Sequence, residues 1–300
     1  MRSLSVFFKE TRPQFLFLTP ACYLVGIGTA SYVLGGIGRI PVGFAILAFI
    51  GALFSHIGVN VMNDYFDFRS GLDLRTRPTP FSGGSGILPQ GLLSPKEVLV
   101  MGVISLLIAI GIGLYFLKVR GWGLLPLGLL GLLIIILYSP FLTRSPALCL
   151  LAPGLGFGPL MVVGTHFVLT GRYDWFAFSA SLVPGFLVSN LLLINQFPDV
   201  EADRCVKRRH LPIVIGRQAS AYAYAVLALS AFCWVAIAVI LGLFPPWSLL
   251  ALLPIPLAIV TIRGIIRNAE NVNALISFLG KNVIYTLATP FLLGVGLLAS

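Results

Sequence analysis

The sequence predicts an all-α polytopic membrane protein with nine transmembrane helices. The chain has 300 residues, of which 58% are hydrophobic and only 10% are charged, and its mean hydropathy is +0.98. A soluble domain carries about 25% charged residues. A helix needs about 20 apolar residues to cross a bilayer. Runs of about this length lie at about 14–35, 41–63, 98–117, 121–139, 147–170, 174–197, 219–243, 246–263 and 280–299.

The spacing of these runs predicts one transmembrane domain over residues 1–300. The runs within 98–139 and within 219–263 are separated by very short turns, which indicates antiparallel helical hairpins. Two other connections, at about 68–96 and 199–218, are long and polar. Loops of this length in a compact fold are usually functional or disordered, and we interpret both as caps over a site.

The basic residues follow membrane topology. Counted over alternate connections, sixteen Lys and Arg side chains fall on one side and four on the other. Because cytoplasmic loops carry the excess of Lys and Arg, the bias predicts a multi-pass protein of the cell membrane. The N-terminus and both long loops are expected in the cytoplasm and the C-terminus outside. It also explains the net charge of +10 without a nucleic-acid partner.

Six of the ten acidic residues lie in two short windows at the inner ends of apolar runs. One window spans residues 63–73 and the other spans 195–203, and each contains Asn-x-x-x-Asp, with an offset of 132 residues between the copies. A carboxylate in a membrane helix costs roughly 2.5–3.5 kcal/mol on insertion scales. The two windows therefore predict a functional site that holds a compensating cation.

Helical periodicity aligns the polar residues of each window, because positions i and i+4 share a face. Asn63 and Asp67 are expected to point together, with Asp64 on the adjacent stripe. In the second window a continuous stripe is expected, made of Asn195, Asp199, Asp203 and Lys207. The windows end helices two and six, so a duplicated four-helix unit would bring them face to face across a central cavity.

Oxygen ligands without histidine or thiolate suit Mg²⁺, which bridges a few carboxylates to substrate phosphates. Two facing stripes have room for two such ions with a diphosphate between them. Cations follow both windows, and Arg makes forked contacts to phosphate oxygens. The expected diphosphate-binding residues are Arg69, Arg75, Arg77, Arg204, Lys207 and Arg208. The alternative for these cations is that they only cap helix ends and follow the positive-inside rule.

The paired motif Asn63-Asp-x-x-Asp67 and Asn195-x-x-x-Asp199-x-x-x-Asp203 resembles the signature of the UbiA superfamily of intramembrane prenyltransferases. Three stretches are most similar to 1,4-dihydroxy-2-naphthoate polyprenyltransferases: residues 63–73, 157–165 and 199–204. Gly71 stands where the 4-hydroxybenzoate branch has a third acidic residue, whereas the segment 138–141 differs from the usual naphthoate pattern.

This resemblance implies Mg²⁺-dependent transfer of a polyprenyl group from polyprenyl diphosphate to an aromatic acceptor, in a UbiA-type fold within the lipid bilayer. The implied acceptor is 1,4-dihydroxy-2-naphthoate, in menaquinone biosynthesis. The implied catalytic residues are Asp67, Asp199 and Asp203. The implied metal ligands are Asn63, Asp64, Asp67, Asp199 and Asp203. The cavity candidates, which would face the allylic cation or the substrates, are Tyr65, Tyr138 and Asn195.

Several alternatives stay open from the sequence. The acceptor could instead be 4-hydroxybenzoate, homogentisate or geranylgeranylglyceryl phosphate. A CDP-alcohol phosphatidyltransferase fits less well, because that class has one continuous acidic motif. A cation-coupled transporter would explain intramembrane acids, but here the acids lie at helix ends beside arginine-rich loops, which favours phosphate chemistry.

Overall fold

A computed structural model describes residues 4–76, 79 and 81–300. Within these residues the chain is helical and contains no β-strand. We number the helices in chain order, taking each membrane span as one helix. They are α1 (Leu4–Glu10), α2 (Pro13–Leu34), α3 (Val42–Ser70), α4 (Pro95–Arg120), α5 (Trp122–Leu137), α6 (Pro146–Thr170), α7 (Trp175–Asn195), α8 (Val200–Cys205), α9 (Leu211–Ile240), α10 (Pro246–Arg267) and α11 (Val272–Leu298).

Eight of the described helices are long and apolar enough to cross a membrane, and α5 is a shorter apolar helix. Helix α5 nevertheless connects both ends of the bundle. Near its start, the Tyr173 hydroxyl donates to the Gly123 carbonyl (2.6 Å), and just beyond its end the Asn63 amide donates to the Ser139 hydroxyl (2.8 Å). The described chain therefore passes between the two ends nine times, as predicted, with one pass made by a short helix.

Local sequence signals set the limits of the first long loop. Helix α3 ends at Gly71, which has φ 78°, a left-handed conformation that glycine adopts without steric cost. Helix α4 begins after a capping box in which the Ser94 hydroxyl accepts from the Glu97 amide (3.3 Å) and the Glu97 carboxylate accepts from the Ser94 amide (2.7 Å). We call residues 71–94 the first cap loop and residues 196–210 the second cap loop.

Close helix contacts depend on glycines, as is common where membrane helices approach each other. A Cβ on Gly28 of α2 would lie 2.8 Å from Leu297 Cβ of α11. A Cβ on Gly158 of α6 would lie 2.6 Å from the Ser181 carbonyl oxygen and 2.7 Å from Gly185 Cα, both on α7. These contacts, with the large buried core formed mainly by α7, α9, α10 and α11, make that side of the bundle tightly packed.

Helices α6 and α9 are irregular. Helix α6 contains a π-helical turn at Gly156–Leu160, which includes Pro159 and follows Pro153. Phe157 of this turn lines the interior cavity. In α9, Gly216 has φ 82° and ψ 161°, which breaks the helix one turn and a half after its start. The predicted start of this run, about residue 219, matches the part after the break.

The two ends of the bundle differ in chemistry. Three exposed tryptophans, Trp122, Trp175 and Trp247, lie at the end opposite the acidic windows. Tryptophan is enriched at membrane interfaces, where the ring lies at headgroup level. The other end carries the two cap loops and most of the Lys and Arg side chains. The protein is thus a multi-pass membrane protein with a polar, basic face and an aromatic face.

Candidate functional site

A cavity of about 660 Å³ opens at the polar face. Its lining comes from α2–α7, from both cap loops and from two residues of α11, whereas no described residue of α9 or α10 contributes. The body of the cavity is apolar, and its mouth carries the acidic windows. Leu114 of α4 and Leu129 of α5 line the cavity and are 59% and 51% exposed. The cavity therefore opens sideways toward the bilayer as well.

The first acidic window lies on the last turns of α3, as predicted. The Asn63 amide donates to Asp67 Oδ2 (3.1 Å), which confirms that these two side chains share a face. Both line the cavity, and Asp67 is buried. A second donation from Asn63 to Ser139 ties this window to the end of α5.

The second acidic window is not one helix, so the prediction of a continuous stripe from Asn195 to Lys207 is wrong. Helix α7 ends at Asn195, because a residue before proline disfavours the helical conformation and Pro198 follows. Asp199 precedes the short helix α8, and its carbonyl accepts from the Asp203 amide (2.8 Å). Asn195, Asp199 and Asp203 still line the cavity, but Lys207 is exposed outside it.

Arg208 joins the two windows. Its Nη1 donates to Asp203 Oδ1 (3.0 Å), and its Nη2 forms an ion pair with Asp67. The other oxygen of Asp203 is hydrogen-bonded to His210 Nε2 (2.9 Å). Burial lowers the pKa of Arg208, but the carboxylates of Asp67 and Asp203 outweigh burial and raise the pKa above its ordinary value. The windows thus meet across the mouth, as the facing arrangement predicts.

Two carboxyl groups at the mouth have raised pKa values. Burial, followed by the nearby Asp203 carboxylate, raises the pKa of Asp199 to about 7, although a weak hydrogen bond from the Ser82 hydroxyl (3.5 Å) opposes the shift. Burial and the Asp67 carboxylate raise the pKa of Asp73 to about 7. In both cases burial is the larger cause and a neighbouring carboxylate the second, and a cation bound at the mouth would oppose both shifts.

Most of the cations expected to bind diphosphate lie outside the cavity. Arg208 lines it, whereas four others are exposed and do not: Arg69, Arg75, Arg204 and Lys207. Arg204 makes only a 3.8 Å ion pair with the exposed Glu201. Arg77 lies outside the described residues. For the four exposed cations, a position on the basic face under the positive-inside rule accounts for their placement.

Arg12 is a cavity residue that the sequence did not indicate. It lies between α1 and α2, lines the mouth, and forms an ion pair with Asp64. Its backbone has φ 53°, and no pattern in the sequence predicts such a left-handed turn at an arginine. An arginine just before the first apolar run is typical of an ordinary membrane flank, so only the tertiary structure assigns it to the site.

Of the two tyrosines predicted to face the cavity, one lines it and the other does not. Tyr138 lines the cavity, with its hydroxyl 3.9 Å from Cys149 Sγ. Tyr65 does not line the cavity; it packs on the opposite side of α3, against a cluster that includes Val61 and Leu88. The expectation of Tyr65 as a cavity residue is therefore wrong, because two residues along a helix from Asn63 correspond to a rotation of about 200°.

The mouth offers the donor set that Mg²⁺ prefers, namely carboxylate and amide oxygens. Asn195 Oδ1 is buried and has no hydrogen-bond partner, so this oxygen is available to a cation. Within the described part of the chain, no three acidic, histidine or cysteine side chains converge into a ready-made metal site. The reason is visible in the ion pairs, since a guanidinium lies between Asp67 and Asp203. Asn63, Asp67, Asn195, Asp199 and Asp203 fit the metal once that guanidinium moves.

The model of the UbiA prenyltransferase family matches residues 18–286 of this chain. The chain belongs to this family. Among its relatives are two named 1,4-dihydroxy-2-naphthoate octaprenyltransferase. The one from Bacillus subtilis is 29% identical over 282 residues, covering 91% of this chain and 89% of the relative. The one from Mycobacterium tuberculosis is 26% identical and covers 86% and 85%. This UbiA member is a prenyltransferase enzyme.

Other similarities show the same fold. A structure of digeranylgeranylglyceryl phosphate synthase superposes with a TM-score of 0.70 at 18% identity and covers 100% of both chains. A UbiA homologue from Archaeoglobus fulgidus, bound to DMAPP and Mg²⁺, superposes with a TM-score of 0.67 at 15% identity and covers 98% of this chain and 99% of that one. The all-helical UbiA-type fold is thus confirmed.

Lys207→Gly and Arg208→Gln test which cation of this UbiA protein serves the site. Lys207 has φ 64° and is exposed, so glycine is expected to leave the KM for prenyl diphosphate unchanged. The free energy of unfolding should rise by about 1 kcal/mol as the backbone strain is removed. Arg208→Gln, which removes the bridge between Asp67 and Asp203, is expected to raise the KM at least tenfold. A raised KM in Lys207→Gly would indicate that Lys207 contributes to binding of the prenyl diphosphate.

Glu10 gives a pH-dependent stability. It is fully buried, and burial raises its pKa from 4.5 to about 7, although the Ser85 hydroxyl (2.8 Å) and Arg12 oppose the shift. The folded state therefore holds a proton that the unfolded state releases, and stability falls as pH rises from about 5 to 7, by at most about 1.4 kcal/mol per pH unit.

Glu10→Gln is accordingly expected to unfold at a higher temperature than the parent protein at pH 8, with little difference at pH 5. Thermal unfolding in detergent at both pH values measures this. The matched control is Glu270→Gln, because Glu270 is exposed and its ion pair with Arg217 is long, at 3.9 Å. An equal gain at both pH values would contradict the assignment.

Proposed function

We propose that this prenyltransferase moves a polyprenyl group from polyprenyl diphosphate to 1,4-dihydroxy-2-naphthoate in menaquinone biosynthesis, and that it requires Mg²⁺. The observation that carries the proposal is the meeting of two acidic windows at the polar mouth of an apolar cavity. A diphosphate with a long hydrocarbon tail has the same division into a charged head and an apolar body. We assign the reaction to one transmembrane domain over residues 1–300.

The acidic residues of the mouth account for the donor half of the reaction. Asp67, Asp199 and Asp203 act as the catalytic carboxylates, and with Asn63 and Asn195 they would hold the metal. Bound Mg²⁺ supplies positive charge that stabilises the leaving diphosphate and assists cleavage of its bond to C1. The guanidinium of Arg208, displaced from between Asp67 and Asp203, is then near enough to donate to the diphosphate oxygens.

The apolar body of the cavity accounts for the second half of the reaction. When the C1–O bond breaks, both electrons leave with diphosphate, and an allylic cation remains at C1. The π faces of Tyr138 and Phe157, which both line the cavity, stabilise a cation at close range. The surrounding apolar wall excludes water that would otherwise capture the cation. A ring carbon of the aromatic acceptor then forms the new bond to C1, and that carbon loses its proton or its carboxylate as carbon dioxide, which returns the bonding electrons to the ring and restores its aromaticity.

The acceptor assignment rests on the relatives and on polar groups inside the cavity. The relatives from Bacillus subtilis and Mycobacterium tuberculosis carry the naphthoate name. His56 lines the cavity two helical turns below Asn63, about 10 Å along α3. Its Nδ1 is hydrogen-bonded to Thr19 (2.7 Å), and its ring meets Phe157 edge to face. This leaves Nε2 for a hydroxyl or carboxylate of a planar acceptor.

A second acceptor is favoured by one relative. A digeranylgeranylglyceryl phosphate synthase from Thermococcus kodakarensis is 28% identical over 232 residues and covers 74% of this chain and 73% of the relative. Geranylgeranylglyceryl phosphate is a lipid alcohol with its own phosphate, so it would need a second anion site. The cavity-lining cations Arg12 and Arg208 both lie at the mouth.

Reconstituted protein separates these acceptors. The purified chain in lipid nanodiscs is incubated with Mg²⁺, a labelled polyprenyl diphosphate and one acceptor at a time: dihydroxynaphthoate, 4-hydroxybenzoate, homogentisate or geranylgeranylglyceryl phosphate. Labelled product is expected only with dihydroxynaphthoate and only before chelation of the metal. Product only with geranylgeranylglyceryl phosphate would replace the proposed acceptor, and activity in excess chelator would contradict the metal requirement.

We also propose that the mouth faces the cytoplasm, together with the N-terminus. The asymmetry of Lys and Arg between the two ends supports this orientation. A membrane-impermeant thiol reagent tests it in intact cells, with Cys22, Cys149, Cys205 and Cys233 removed. A cysteine introduced at the exposed Lys207 should stay unlabelled, whereas one at the exposed Trp247 should react. The reverse labelling pattern would invert the topology.

A further inference from the structure

The carboxylate of Asp64 contacts two protein groups, although its Oδ1 atom has no partner in hydrogen-bond geometry. Its Oδ2 accepts from the Ser85 backbone amide (3.0 Å), and its Oδ1 forms an ion pair with Arg12. The side chain is only 2% exposed. Its neighbours in the motif, Asn63 and Asp67, line the cavity, but Asp64 does not. One residue along a helix is a rotation of about 100°, which points Asp64 toward the N-terminal segment.

Neighbouring hydrogen bonds connect the same three parts of the chain. The fully buried Glu10 accepts from the Ser85 hydroxyl (2.8 Å), and the Asn60 amide donates to the Thr11 carbonyl (3.0 Å). Asp64 thus lies where α3, the first cap loop and the segment before α2 meet. Gly84 leaves room for this junction, because a Cβ there would lie 3.2 Å from Asp64 Oδ1.

Arg12 has the geometry of an anion-binding residue. Its side chain is 13% exposed and lines the mouth. The pairing with Asp64 is made through Nη2, and Nε is buried without a hydrogen-bond partner. A buried donor left unpaired costs about 1–3 kcal/mol, so an anion that enters the mouth and accepts from Nε would recover this cost.

The backbone supports the same interpretation. Among the described residues, only Arg12 and Lys207 are non-glycine residues with positive φ, at 53° and 64°. Arg12 itself lines the cavity, and Lys207 immediately precedes Arg208, which also lines the cavity. Such conformations cost about 1–3 kcal/mol and persist where the surroundings impose them, often at functional sites. A strained residue therefore lies at or next to each of the two arginines whose guanidinium groups line the mouth.

We infer that Arg12 binds the diphosphate of the donor and that Asp64 is its positioning residue rather than a ligand of the metal. The inference rests on the proposed function and revises the metal-ligand set expected from the sequence. In this arrangement Asp64 holds one edge of the guanidinium, and the remaining N–H groups meet diphosphate oxygens. The N-terminal segment thereby becomes part of the site together with the two cap loops.

Binding measurements on the full chain in nanodiscs test the inference without turnover. The probe for the donor is a prenyl thiolodiphosphate, whose carbon–sulfur bond resists cleavage, and its Kd is measured by calorimetry. The probe for the metal is Mn²⁺, followed by electron paramagnetic resonance at saturating analogue. The variants are Arg12→Gln, Arg12→Lys, Asp64→Asn, the double variant Arg12→Gln/Asp64→Asn, and Asp67→Asn as the metal-ligand reference.

The expected result is a loss of analogue affinity of about 10- to 100-fold in Arg12→Gln. Asp64→Asn should show a similar loss, the double variant should lose little more than either single one, and Arg12→Lys should recover part of it. Mn²⁺ binding should stay within about twofold in Asp64→Asn but weaken by tenfold or more in Asp67→Asn. Thermal unfolding of each variant shows that the bundle is intact.

Two outcomes overturn the inference. A loss of Mn²⁺ affinity in Asp64→Asn as large as in Asp67→Asn would make Asp64 a metal ligand. Unchanged analogue affinity in a folded Arg12→Gln would leave Arg12 with only a structural role, and Arg12→Lys extends the comparison if the glutamine variant does not fold. Failure of the parent protein to bind the analogue would instead overturn the proposed function.

Discussion

Asp67→Asn and Asp199→Asn are each expected to lower the rate of prenyl transfer by at least about 10³-fold. The two residues come from different windows and line the same mouth, so neither compensates for the other. Loss of one preorganised electrostatic group in an active site commonly costs about 10²–10³ in rate. Under the proposed metal-binding role, the loss of a ligand adds several kcal/mol of lost charge stabilisation. Product formation from a labelled polyprenyl diphosphate in nanodiscs measures the effect.

Both variants should remain folded. Arg208 keeps Asp203 as a partner in Asp67→Asn, and among the described residues Asp199 has no ion pair that the substitution would break. The matched control is Glu201→Gln, which removes the same charge from the same segment as Asp199, but the Glu201 side chain is 73% exposed and forms a long ion pair with Arg204, at 3.8 Å. Its activity should match that of the parent protein. Full activity in Asp67→Asn or Asp199→Asn would refute the catalytic assignment.

Gly158→Ala is expected to lower the free energy of unfolding strongly. The three atoms nearest to an added Cβ are backbone atoms of α7, at 2.6–2.8 Å, so no side-chain rotation relieves the contact. Overpacking usually costs about 1–3 kcal/mol, and a rigid backbone neighbour places this case at the upper end. The displaced α7 carries Asn195 at its end, so activity should also fall. Thermal unfolding in detergent and prenyl transfer are the two measurements.

Gly164→Ala provides the comparison for Gly158→Ala. It lies on the same helix, α6, and a Cβ there would meet no atom within 4 Å. Alanine is a better helix former than glycine by about 1 kcal/mol, so this variant should unfold at the same temperature as the parent or slightly higher. If both variants unfold alike, close approach of α6 and α7 does not limit stability.

The number of passes through the membrane was predictable because hydrophobic length is a local property. The capping box at Ser94 and the proline at position 198 act over a few residues. The first marks the start of α4 and the second follows the end of α7. The assumption that failed was also local. Four-residue spacing aligns side chains only while the chain stays helical, and the second window leaves the helix at Asn195.

The sequence by itself determined the membrane class, the family and the identity of the acidic residues at the mouth. These follow from composition, hydrophobic length and the rarity of carboxylates in apolar helices, none of which needs a distance between remote residues. Only the tertiary structure shows which cations line the cavity. Arg12 and Arg208 lie 196 positions apart in the numbering, and left-handed turns at Arg12 and Lys207 bring both into the cavity. Such turns are imposed by packing around them, because the local conformational preference of Arg or Lys disfavours a positive φ.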